Sequence, residues 1–177
     1  MSRGIDFLIQ HYDIRSPDGY KYLIHFMEDT FLHNLREHEK VRKIAHKIRT
    51  GLEKINPFVE ASTALICPSC KHVCCIRKHG FYNLEDLIYM FALNKKLPEP
   101  FFGGNENDTC QFLTGNGCTI ERQFRPSGCN WYFCDSLLEH METFAEYQDF
   151  DNEIAEIAGL WLNMVEEFSR NINLPPE

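Results

Sequence analysis

The sequence predicts a mostly α-helical fold, with helices packed around a cysteine-rich metal-binding middle that carries one short β-hairpin. Three observations predict it. Apolar residues recur at three- and four-residue steps on both flanks. All eight cysteines lie between Cys67 and Cys134. Within that stretch Asn116-Gly117 separates two short apolar runs, the pattern of a tight hairpin.

Each element follows in order. Residues 1–15 read as a partly apolar lead-in. Ser16-Pro17 reads as a helix start, with serine as the cap and proline at the first helical position. Met27, Phe31, Leu35, His38, Val41, Ala45, Ile48, Leu52 and Ile55 then form an apolar-faced stripe. One helix from Pro17 to Ile55 is long for a small domain, so a break is expected near His33 to Glu39. Asn56-Pro57 is expected to end the segment, because a residue before proline disfavours the helical region. Residues 67–82 have little periodicity and read as a loop around the first four cysteines. Asn83 is expected to cap another helix, with Glu85 and Asp86 in its first turn, where the helix dipole favours negative charge. Its apolar face is Leu84, Leu87, Ile88 and Phe91. Lys95 and Lys96 suit its C-terminal end, and Pro98 lies beyond.

Residues 98–109 read as loop. Cys110-Gln111-Phe112-Leu113 and Cys118-Thr119-Ile120 read as the two hairpin strands, which would bring Cys110 and Cys118 together. Arg125-Pro126-Ser127-Gly128 reads as a tight turn leading into Cys129. Ser136 and Glu139 have capping-box spacing ahead of Leu137, Met141 and Phe144. The last helix carries Ile154, Ile157, Ala158, Trp161, Val165 and Phe168 before Leu174-Pro175-Pro176. No internal repeat, low-complexity tract or linker interrupts the chain. The expectation is a single domain over residues 1–177, with residues 67–134 as its metal-binding segment.

Bulk properties narrow the function classes. The 177 residues are 44% hydrophobic and 25% charged, an ordinary globular composition. The net charge of −8 disfavours general nucleic-acid binding. A small basic island, Lys71, His72, Arg77, Lys78 and His79, sits among the cysteines. No segment reaches the roughly 18 apolar residues of a membrane span, and the N-terminal residues lack the pattern of a signal peptide. These features predict a cytoplasmic protein with no membrane partner. In a reducing compartment, clustered cysteines are expected to hold metal rather than form disulfides.

The cysteines read Cys67-x2-Cys70-x3-Cys74-Cys75, then Cys110-x7-Cys118-x10-Cys129-x4-Cys134. A two-residue spacing lets two sulfurs converge on one ion across a tight turn. Thiolates suit zinc or an iron–sulfur cluster and disfavour magnesium and calcium. Eight thiolates satisfy two four-cysteine sites, or one site plus four structural or reactive thiols. The dense cluster with its adjacent pair Cys74-Cys75 suggests iron–sulfur; the hairpin suggests zinc. Neighbouring side chains seldom point at one spot, so the adjacent pair also leaves room for a spare thiol.

CPSCKHVCC, CQFLTGNGCTIERQFRPSGC and NWYFC together resemble the YkgJ-type cysteine-cluster family, described as a zinc- or iron-chelating domain. The resemblance covers Cys67, Cys70, Cys74 and Cys75, and then Cys110, Phe112, Leu113, Cys118, Ile120, Arg125, Pro126, Cys129 and Cys134. Two departures stand out: three residues, not two, separate Cys70 from Cys74, and Glu121 replaces a frequent tyrosine. The flanks 1–60 and 136–177 are not covered. The resemblance implies that Arg125 stands beside the ligating sulfurs, where its guanidinium would offset thiolate charge. Some proteins of similar pattern are linked to lysine N-methylation of flagellin, so a methyl-transfer relative is one enzymatic alternative.

His72 and His79 flank the first group, but with eight thiolates available they are not needed as ligands. His38 reads as a boundary histidine. His33, with Asp29 and Glu37 four residues to either side, reads as part of a solvated face. There is no phosphate-binding glycine loop, dinucleotide fingerprint or Ser/His/Asp arrangement. The reading is a protein that binds metal through Cys67, Cys70, Cys74, Cys75, Cys110, Cys118, Cys129 and Cys134. The alternatives are an enzyme using the cluster or a spare thiol, and a zinc-stabilised module for a protein partner.

Overall fold

A computed structural model describes residues 3–33, 39–70, 73–115 and 117–172. Leu35, His38, Lys71, His72, Asn116, Leu174-Pro175-Pro176, the expected break over residues 34–38 and the side chain of His33 lie outside the described residues. The described residues form a mostly helical fold with one two-stranded hairpin. The helices are α1 (Arg3–His11), α2 (Pro17–His33), α3 (Glu39–Ile66), α4 (Leu84–Ala92), α5 (Gly128–Trp131), α6 (Asp135–Met141) and α7 (Tyr147–Asn171). Strands β1 (Leu113–Thr114) and β2 (Gly117–Cys118) pair antiparallel, Leu113 opposite Cys118. No described helix is long and apolar enough to cross a membrane.

The chain divides into two compact units. One comprises Met1–Ile48, Tyr82–Phe102 and Gly159–Glu177; the other comprises Arg49–Phe81 and Gly103–Ala158. The first unit holds the larger apolar core. Leu8, Leu23, Met27, Val41, Ile48, Leu87, Ile88, Met164 and Phe168 are almost wholly buried. Phe31 stacks between Phe91 and Phe168, at centroid distances of 6.2 and 5.7 Å. The expected caps are present. Ser16 Oγ accepts the Gly19 N–H at 3.0 Å, and Asn83 exchanges hydrogen bonds with Asp86 in a capping box. Helix α4 ends on Asn94 at φ 54°, with Lys95 N–H on Met90 O and Asn94 N–H on Phe91 O. That is the left-handed closure asparagine tolerates.

Helix α1 is an addition to the sequence reading, which left residues 1–15 as a lead-in. Among its described side chains Ile5 and Leu8 are the buried ones, too few to register as a period.

The second unit buries Leu52, Ile55, Val59, Leu137, Met141, Phe150 and Ile157. Here Pro57 overturns an expectation. It does not end the helix; α3 runs through it to Ile66. The stripe Ile48, Leu52, Ile55 continues past the proline to Val59 and Ser62, both buried. Phe58 packs on Phe144 and Phe150. This tertiary burial offsets the local cost of an interior proline, up to about 3 kcal/mol. Pro57→Ala is therefore expected to stabilise the protein by about 1–3 kcal/mol in denaturant unfolding. An unchanged or lower midpoint would contradict this account.

Three smaller corrections concern the cysteine segment. Cys110 is not on a strand. It opens a turn closed by Leu113 N–H on Cys110 O at 3.0 Å. The expected turn before Cys129 is present, closed by Cys129 N–H on Pro126 O at 2.8 Å, but it runs on into helix α5, so Cys129 is helical. Cys134, not Ser136, is the N-cap residue of α6, and no side chain caps that helix.

Candidate metal centre

All eight cysteines fall in the second unit. None is in a disulfide; Cys67 and Cys75 are exposed, and the other six are half-buried. Among the described residues, 67–81 and 103–134 bury no apolar side chain other than the Pro126 ring. The other buried side chains there are polar: Arg122, Ser127 and Asn130. A segment without an apolar core needs another source of cohesion, and metal ligation is the usual one in small cysteine-rich units.

Backbone geometry sets the thiols beside one another. Cys67-Pro68-Ser69 forms a tight helical turn, and Cys70 N–H closes it on Cys67 O at 3.1 Å. Ile76 and Thr109 form an antiparallel bridge. The next pair along it is Cys75 and Cys110, joined by Cys110 N–H on Cys75 O at 3.0 Å. The turn from Cys110 leads into β1, which pairs with β2 and so carries Cys118. Cys129 S–H points at His79 O at 3.7 Å. Gly80, the next residue, is buried, and a Cβ there would stand 2.7 Å from Cys110 Sγ.

The thiols act on one another's ionisation. Burial pushes Cys67 up, reinforced by Cys74, Cys134 and Cys70. Cys74 is pushed up further, first by its hydrogen bond with Cys75. That bond holds Cys75 below the ordinary thiol range, against burial and the nearby Cys129, Cys67 and Cys110. So the adjacent sulfurs do meet, and their hydrogen bond favours the thiolate on Cys75 over that on Cys74. Burial raises Cys110, with Cys118 adding to it; the Phe112 and Leu113 N–H groups and Arg77 act the other way. N–H groups directed at a sulfur favour its thiolate.

Arg122 is the residue that sequence reasoning missed. It is 4% exposed. Nε donates to Asn56 Oδ1 at 3.0 Å, and Nη1 donates to Asn130 Oδ1 at 3.3 Å and Cys129 O at 3.5 Å. All three acceptors are neutral. Burial first, then Arg125, lowers its pKa to about 10, while Glu60, Cys129 and Cys118 oppose that. Nothing in the string IERQFRPSG marks Arg122 as more buried than Arg125. Arg125 itself donates Nε to Ile120 O at 2.8 Å and lies 3.9 Å from half-exposed Glu60. His79 stacks on Tyr132 at 5.4 Å, and burial lowers its pKa.

Among the described residues, no three His, Cys, Asp or Glu side chains converge where one ion would touch them all. The thiols are instead linked pair by pair. The donor type, though not its present arrangement, is that of a thiophilic site: eight thiols, no disulfide, and N–H groups on one sulfur. Comparison with protein-family models, curated proteins and solved structures finds no match.

Proposed function

We propose that this protein binds metal through clustered thiolates, as an iron–sulfur cluster or as zinc, in a redox or metal-handling role. The observation that carries the reading is a segment with eight interacting thiols, no disulfide and no buried apolar side chain but the Pro126 ring. Bound metal would supply the cohesion that the segment lacks, and could supply electron transfer if it is an iron–sulfur cluster. The ligand candidates are Cys67, Cys70, Cys74, Cys75, Cys110, Cys118, Cys129 and Cys134. The resemblance to the YkgJ-type pattern supports the same reading.

A second reading has one observation in its favour. Cys75 is exposed, and its thiol is held low by Cys74, the condition of a reactive thiol. Both readings meet in one experiment: anaerobic purification, metal and sulfide analysis, then thiol labelling of the loaded protein. Iron with sulfide and visible absorbance is expected for a cluster, and stoichiometric zinc without colour for a zinc site. Labelling confined to Cys75 would favour the reactive thiol. If no metal binds, the metal-binding reading is wrong.

A further inference from the structure

The backbone places a second cysteine opposite Cys75. Ile76 and Thr109 form an antiparallel bridge, and the next pair along it is Cys75 and Cys110, joined by Cys110 N–H on Cys75 O at 3.0 Å. On the other side of the bridge Arg77 N–H donates to Asp108 O at 2.8 Å, so the register is held from both sides. Facing residues of an antiparallel pair put their side chains on one face, with Cα atoms about 5.5 Å apart where the pair is hydrogen-bonded. Disulfides span Cα separations of about 4.4–6.8 Å, most often near 5.5–6 Å. This register therefore suits a disulfide between Cys75 and Cys110 without movement of the backbone.

Access differs between the two. Cys75 is exposed and Cys110 is half-buried, so a dissolved oxidant meets Cys75 first. The rival partners of Cys75 are less well placed. A bond to Cys74 would close a small ring around one planar trans peptide, which strains it. Cys129 sits in helix α5 with its S–H turned to His79 O at 3.7 Å. The other exposed thiol, Cys67, has Cys70 across its own tight turn, and a bond there would join nothing beyond that turn.

From this geometry we infer that Cys75 and Cys110 are a peroxide-responsive pair, which oxidation joins in a disulfide tying residues 67–81 to residues 103–134. The inference rests on the reading of Cys75 as a reactive thiol and adds its partner and its oxidant. The Cys75 thiolate attacks one oxygen of hydrogen peroxide. The O–O bond breaks, Cys75 becomes a sulfenic acid, and the departing hydroxide takes up the thiol proton as water. The Cys110 sulfur then attacks the Cys75 sulfur. The S–O bond breaks, the disulfide forms, and a second water leaves with the Cys110 proton. The pair loses two electrons and the peroxide takes both.

Kinetic trapping tests it on the full-length wild-type protein as purified, without chelator. Hydrogen peroxide is added below one equivalent and the remaining thiols are alkylated at early times. Disulfides are then mapped by unreduced digestion and fragmentation mass spectrometry, which resolves Cys74 from Cys75. The expected first bond is Cys75–Cys110, with loss of two alkylatable thiols that a dithiol reductant restores. Cys110→Ser is expected to stop at the sulfenic acid, which dimedone traps on Cys75. Cys75→Ser is expected to leave Cys110 alkylatable. A first bond from Cys75 to Cys129, from Cys74 to Cys134, or within Cys67–Cys70 overturns the pairing. So does a Cys75 sulfenic acid that persists in the wild type beside free Cys110, though it leaves the reactive thiol standing. If peroxide leaves Cys75 alkylatable in the wild type and in Cys110→Ser, the reactive-thiol reading and the pairing fall together. Metal content, measured before peroxide is added, decides the metal-binding reading separately.

Discussion

If the cysteines hold metal as proposed, chelation under reducing conditions is expected to unfold residues 67–81 and 103–134 while α3, α4 and α7 keep their protection from hydrogen exchange. The expectation follows from where apolar surface is buried. Helix α3 keeps Leu52, Ile55 and Val59 out of water, α4 buries most of its length, and α7 buries Phe150, Ile157, Trp161, Met164 and Phe168. Each such side chain contributes roughly 1.5–3 kcal/mol. The cysteine segment buries none of these residue types and is held instead by turns, a two-residue-per-strand hairpin and hydrogen bonds around Arg122. Tetrathiolate zinc contributes on the order of 10 kcal/mol to the folding of a site built this way. Removing it should therefore open these two stretches as one cooperative unit. The reductant matters, because disulfides formed from the released thiols would hold the loops closed. Unchanged exchange in residues 67–81 and 103–134 after complete metal loss would show that their hydrogen bonds suffice alone.

The helical flanks were legible because their apolar period repeats many times. Met27, Phe31, Val41, Ala45, Ile48, Leu52 and Ile55 are all buried as the stripe requires. Caps were legible where the chemistry is local, as at Ser16 and Asn83. Reading failed where distant packing decides. Pro57 breaks a local rule because Phe58 and Val59 have partners far along the chain. The cysteine positions were legible as candidate ligands, but their neighbours were not. A bridge between Ile76 and Thr109, thirty-odd residues apart, decides that Cys75 meets Cys110, and no spacing rule encodes it. Arg122 was invisible for a related reason. Its burial depends on Asn56 from α3 and Asn130 from α5, and neither residue signals a guanidinium in the sequence.

Gly80→Ala isolates one contact at this site. Gly80 has φ −86° and ψ 6°, a backbone conformation open to alanine, so strain is not the issue. In an open position the change would stabilise by about 0.4–1 kcal/mol through the unfolded chain. Here the new methyl would sit 2.7 Å from Cys110 Sγ and 3.3 Å from Gln111 Oε1. The Cys110 backbone is held by its bond to Cys75 O and its own turn, so its sulfur would have to turn away about χ1, and Gln111, whose Nε2 donates to Gly80 O at 3.1 Å, would have to shift with it. Overpacking of this kind costs about 1–3 kcal/mol. It also displaces the sulfur on which the Phe112 and Leu113 N–H groups converge. The expected result is a lower unfolding midpoint together with weaker metal retention in chelator competition. Gly159→Ala is the control: it lies inside α7 with nothing within 4 Å of the added Cβ. It should stabilise by about 0.5–1 kcal/mol and leave metal retention unchanged. Equal behaviour of the two variants would mean that Gly80 does not shape the thiol site. Loss of metal retention in Gly80→Ala alone would tie metal binding to the close approach of Gly80 to Cys110 Sγ.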